Sequence, residues 1–147
     1  MKFEATNSTG RPHPIRPYVF AWFVMLLVSI ANGALRDFTY GPRVGELAGH
    51  QISTATSVLL LGAVIAFFVR RHPPASARHA LGIGLAWMAC TIAFEFLFFH
   101  FAGGHAWSEL LANYDVSRGR VWVVVLAWIA VAPLILRRRG PPAAPSD

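Results

Sequence analysis

The chain has 147 residues, of which 55% are hydrophobic and only 14% charged, with a formal net charge of +6. A soluble globular domain carries roughly 25% charged residues, so this composition excludes an ordinary soluble domain. The arginines cluster at the ends of long apolar runs; that position marks them as topology determinants facing anionic lipid headgroups, and no nucleic-acid partner is expected.

A hydrocarbon layer about 30 Å thick takes about 20 apolar residues as helix. Four runs meet that need, at about 18–35, 52–69, 80–101 and 121–136. The fourth is short, but Arg120 and Arg137 at its ends can snorkel and extend it. The expected fold is all-α, a transmembrane four-helix bundle spanning 18–136, with a tail at 1–17 and a basic, proline-rich tail at 137–147. The first run also admits reading as a cleaved signal peptide, with Ser29-Ile30-Ala31 as the cleavage site. Its long leader and its continuation through Gly33-Ala34-Leu35 favour a retained helix.

Orientation follows from the basic residues. Lys2, Arg11 and Arg16 precede the first span, Arg70, Arg71 and Arg78 lie between the second and third, and Arg137, Arg138 and Arg139 follow the fourth. The other two loops carry Arg36, Arg43, Arg118 and Arg120, so the split is nine against four. The positive-inside rule then puts both termini and the loop between the second and third spans in the cytoplasm. The lone Cys90 lies within an apolar run and offers no internal disulfide.

Polar chemistry gathers in the two outward loops and the helix ends beside them. Gly41-Pro42 marks a turn after which a helix can begin near Arg43. On that helix Glu46, His50, Thr54 and Ser57 recur at i, i+4, i+8 and i+11, with Ser53 alongside, drawing one polar stripe. The first span carries Ser29, Asn32 and Arg36 in the same manner. Glu95 lies about six residues below the outer end of the third span, roughly 9 Å into the apolar layer. It should face the bundle and a partner, or carry its proton. Matching depths along the helices predicts an inner layer of Asn32, Thr54 and Glu95. Above it an outer layer of Arg36, His50, His100 and Arg120 is expected. These seven residues together with Glu46 are the predicted ligand-binding set of eight. The fourth span, nearly without polar side chains, is expected to close the bundle and face lipid. Between the third and fourth spans, Trp107, Leu110, Leu111 and Tyr114 recur at i, i+3, i+4 and i+7, opposite Ser108, Glu109 and Asn113. That pattern predicts a short interfacial helix acting as a lid, with Trp107 and Tyr114 as aromatic anchors. Asp115 or Ser117 is then placed to cap the fourth span.

Several of these stretches, Asn32-Gly33-Ala34-Leu35-Arg36, Gly45-Glu46, His50-Gln51-Ile52-Ser53, Glu95-Phe96, Trp107 with Leu110-Leu111 and Tyr114, and Gly119-Arg120 with Trp122, resemble a family of small bacterial four-helix membrane proteins. The resemblance covers roughly residues 30 to 125. It implies four membrane helices and brings no activity, substrate or cofactor with it.

The polar cluster supports several uses. Interhelical hydrogen bonds averaging about 0.6 kcal/mol each make it a packing device in a non-catalytic membrane component or accessory subunit. The alternative is a binding or transport site for a small ligand, proton or ion on Arg36, Glu46, His50 and Glu95. Zinc at Glu46, His50, His100 and His105 matches no tight spacing, and haem between His50 and His100 lacks any supporting motif, so no cofactor is expected. An enzyme working on envelope substrates, with Glu95 as acid or base and His50 beside it, lacks a recognisable nucleophile. The expected partners are the bilayer and either a second copy or a larger membrane complex.

Overall fold

The computed structural model describes residues 14–112 and 114–137. Lys2, Arg11, Asn113, Arg138 and Arg139, and with them most of both tails, lie outside the described residues. Within those residues the chain is all-helical, without strands. Helix α1 is Arg16–Leu35, continued by a wider π-turn at Arg36–Tyr40 and the short α2 at Gly41–Val44. Helices α3 (Glu46–Arg71) and α4 (Ala77–Phe101) follow, then α5 (Trp107–Ala112), a tight turn at Val116–Arg118, and α6 (Trp122–Leu136). Three helical stretches, Arg16–Val44, Glu46–Arg71 and Ala77–Phe101, are long and apolar enough to cross a membrane. The fourth apolar helix, α6, has 15 residues.

Local chemistry sets several boundaries. Pro42 sits in the first turn of α2, where a missing N–H costs nothing. Gly45, at φ 87°, then breaks the chain between α2 and α3, a conformation that a side chain would strain. Thus the long second helix starts at Glu46 and not at Arg43. Ser76 caps α4 by accepting the His79 N–H at 3.0 Å.

The helices pair as α1 on α3, α3 on α6 and α6 on α4, so α3 and α6 form the central pair. Val125, Leu126, Ile129, Ala130, Ala132 and Pro133 are all buried. One face of the helix thus packs against other helices, while Val123, Val124, Val131 and Ile135 stay exposed. Gly84 on α4 makes this possible, because a Cβ built there would lie 2.0 Å from the Ala130 carbonyl oxygen. Pro133 also leaves the neighbouring Ile129 carbonyl without its helical donor, where the α4 backbone passes closely. On the other side of α6, the Trp128 ring lies over Gly62 of α3.

Helices α1 and α4 meet at one end only. Trp87 donates its indole N–H to the Tyr18 carbonyl at 2.8 Å, and Tyr18 donates its hydroxyl to the His72 carbonyl at 3.0 Å. Trp22 donates to the Thr91 hydroxyl at 3.2 Å. Beyond Trp22 and Thr91 the two helices separate, and the gap between them becomes the site described next.

Candidate functional site

The gap is an open cavity of ≈ 1280 Å³. Its lower walls are apolar, with Met25, Leu26 and Ile30 on α1 facing Phe94 and Phe98 on α4, and Ile129 behind them. Its upper end is polar and charged, lined by Arg36, Asp37, Glu46, His50, Glu95, Glu109, Tyr114, Arg120 and Trp122. An amphipathic hollow of this kind arises because the apolar residues of α1 and α4 face each other across a space that neither helix fills.

Six of the eight predicted residues take their places in three separate groups around this end. In the first group, Asn32 is 4% exposed and donates its amide to the Ser53 carbonyl, the Ser53 hydroxyl and the Ser57 hydroxyl, at 2.9, 3.0 and 2.8 Å. This clips α1 to α3. Thr54, predicted for the same layer, is buried, but its hydroxyl has no partner among the described residues. Ser53 and Ser57 are the true partners. The spacing that selected Thr54 also contained Ser57; the rotation of α3 about its axis decides between them.

Glu95 forms the second group, and neither Asn32 nor Thr54 is its partner, which corrects the predicted inner layer. One of its oxygens accepts the Tyr114 hydroxyl at 2.6 Å and the Trp122 indole N–H at 3.0 Å. The carboxylate therefore ties α4 to the loop after α5 and to the first residue of α6. Burial pushes the Tyr114 hydroxyl above its ordinary pKa, and its hydrogen bond to Glu95 adds to the effect. Tyr114, expected as an interfacial anchor, instead turns inward. Sequence reading missed Trp122 as a donor because an indole in an apolar run reads as packing.

The third group is charged. The Arg36 guanidinium reaches the Asp37 carboxylate at 2.8 Å and the His50 Nδ1 at 3.4 Å. Arg120 meets Glu46 at 2.8 Å across the mouth of the cavity. Because a guanidinium only donates, Nδ1 of a neutral His50 is assigned as the acceptor and Nε2 then carries the ring proton. That Nε2 is buried and has no partner among the described residues, while the ring lines both the large cavity and a smaller hollow of ≈ 260 Å³ beside Leu47 and Arg118.

His100 stands apart. Its ring stacks on Trp107 with centroids 3.8 Å apart, its Nδ1 lies 2.9 Å from the His105 carbonyl, and it does not line the cavity. The predicted outer layer thus keeps Arg36, His50 and Arg120 and loses His100, which packs at the start of α5. Helix α5 folds over Phe96, whose ring stacks on Trp107 at 6.1 Å and tilts against Tyr114 at 5.6 Å. The helix is shorter than predicted, ending at Ala112, and His105 with Glu109 closes its outer side at 3.1 Å. Asp115 accepts the Ser117 N–H and caps the turn at Val116–Arg118. This corrects the expectation that Asp115 or Ser117 caps the fourth helix, whose N-cap is Val121. The hydrogen bonds to Ser117 hold the Asp115 carboxyl below its usual range. No group of three or more histidine, cysteine, aspartate or glutamate residues suited to a metal ion occurs among the described residues.

No family model, no curated protein and no solved structure matches this chain.

Proposed function

We infer that the chain is an integral membrane protein of a bacterial inner membrane, non-catalytic, that holds a small polar or amphiphilic molecule in the cavity between α1 and α4. The observation that carries this reading is the form of the cavity, mainly apolar along its length and charged at one end. Pockets that bind small molecules combine an apolar lining with a few convergent polar groups. Spanning by all four apolar helices is supported by the three long helices and by Arg120 and Arg137, which bracket the shorter α6. The nine-to-four division of basic residues supports cytoplasmic termini and an outward-facing charged end.

A second reading, in which the polar residues serve packing alone within a homo-oligomer or larger complex, is favoured by the Asn32 and Glu95 groups. Both are satisfied by partners inside the chain. Gentle purification followed by native mass spectrometry separates the two. Ligand binding predicts a bound non-protein mass and a stabilisation on adding back that molecule, both lost in a folded Arg36→Gln variant. Packing alone predicts no such mass, with losses of folded yield confined to variants such as Asn32→Ala. Reporter fusions at residues 75 and 110 test the orientation, with cytoplasmic and external positions expected respectively.

A further inference from the structure

The dimensions and charges of the cavity identify the class of occupant. We propose that it holds one membrane glycerophospholipid with a zwitterionic aminophosphate headgroup, phosphatidylethanolamine in type, entering sideways between α1 and α4. The proposal rests on the ligand-binding reading above and gives it a substrate class.

Length is the first argument. From Met25, low in the cavity wall, to Arg36 at its charged end is eleven residues of helix, or about 16 Å of rise. Half of a hydrocarbon layer about 30 Å thick is about 15 Å, so the groove is one leaflet deep. Its ≈ 1280 Å³ exceeds the roughly 300–1,000 Å³ of pockets for compact drug-sized ligands and suits an extended chain. The groove is open between α1 and α4 above their contacts, which lie below at Tyr18 with Trp87 and Trp22 with Thr91.

Charge at the upper end then selects the headgroup. The Arg36 guanidinium, partly exposed, lines this space and calls for an acceptor such as a phosphate oxygen. Yet the rim is not a cationic patch. Arg36 lies against Asp37, Arg120 against Glu46 and His105 against Glu109, and all of these carboxylates line the cavity. A purely anionic headgroup would meet three carboxylates beside the two arginines. A headgroup carrying both a phosphate and a primary ammonium offers each sign its complement, with the phosphate on Arg36 and the ammonium toward Glu46 and Glu109. Choline would present the same charge but no N–H donors to those carboxylates.

The test is competition. The full chain is purified in detergent and offered equal amounts of phosphatidylethanolamine, phosphatidylglycerol and phosphatidylcholine of identical acyl chains, and retained lipid is read by native mass spectrometry. The ethanolamine lipid should be retained roughly tenfold over the other two, the factor that one hydrogen bond to a charged group supplies. Arg36→Gln should abolish the preference, and Ile30→Trp, filling the groove, should lower retention of all three lipids. Preference for phosphatidylglycerol, or equal retention that Arg36→Gln leaves unchanged, would overturn the proposal. The wild-type preference alone decides it if a variant folds poorly. If a non-lipid molecule is found bound instead, and is lost in Arg36→Gln, the lipid assignment falls while the binding reading stands; if nothing bound depends on the cluster, both fall.

Discussion

The two ends of this molecule are built on opposite plans. At the end marked by Tyr18, Phe68 and Trp87, helices α1, α3, α4 and α6 close on one another, and the polar atoms there serve only to lock the closure. At the end marked by Arg36, His50 and Glu95, α1 and α4 part, and the polar groups hold the walls of an open space. The closed end puts its close approaches at small residues, Gly84 above all, where two backbones meet. The open end puts its specificity in side chains that tie loops to helices, as Glu95 ties Tyr114 and Trp122. In hydrocarbon no hydrophobic drive favours helix association, so backbone fit decides where helices can close. Where it is absent, polar side chains have to define the shape.

Substitutions at the two ends should therefore fail differently. The largest effect is expected at the closed end. Gly84→Leu drives a side chain into the Ala130 carbonyl and should cost at least about 3 kcal/mol, the upper range for overpacking. Size-exclusion chromatography of a fluorescent fusion reads it as loss of the monodisperse peak; an unchanged peak would show that α4 and α6 are not held together here. At the open end, Glu95→Ala removes the acceptor for two donors and should cost about 1–3 kcal/mol. The near-ultraviolet dichroism of Trp122 and Tyr114 should weaken with it, whereas Glu95→Gln, which keeps a carbonyl acceptor, should retain most of the signal.

The same contact predicts a pH dependence. The folded state raises the Tyr114 pKa above the ordinary 10.0. The stability it contributes is therefore fully present below pH 10 and lost as pH rises through the folded value. Alkaline unfolding followed by absorbance should be less steep in Tyr114→Phe, and identical curves would separate Tyr114 from Glu95. Asn32→Ala, which releases α1 from Ser53 and Ser57, should lower thermal stability by about 0.6–1.7 kcal/mol. The smallest effect belongs to Glu46→Gln. Its side chain is 82% exposed in the pair with Arg120, and such surface pairs contribute about 1 kcal/mol or less. A loss beyond that would make the rim a structural strut rather than part of a binding mouth.

The main helices were readable because each contains a long uninterrupted run of apolar residues, and that pattern needs no tertiary information. Proximity of Arg36, His50 and Arg120 was also readable, since each sits at the charged end of an apolar run. Pairing was not. Depth along a helix axis placed Asn32, Thr54 and Glu95 at one level, but rotation about that axis turned Asn32 to Ser53 and Ser57 and left Glu95 to Tyr114 and Trp122. His100 shows the same limit: it has the right height but the wrong face, and it stacks on Trp107.

The residues in order thus determine that this chain is helical, where its long apolar helices run, and at which end its charges gather. Those properties follow from local hydrophobicity and chain length. Only the tertiary structure decided that α3 and α6 form the central pair, that α1 and α4 close at one end and part at the other, and that an amphipathic cavity results. Each of these depends on helix rotation and on backbone approach at single residues such as Gly84, which is a relation between segments far apart in the chain.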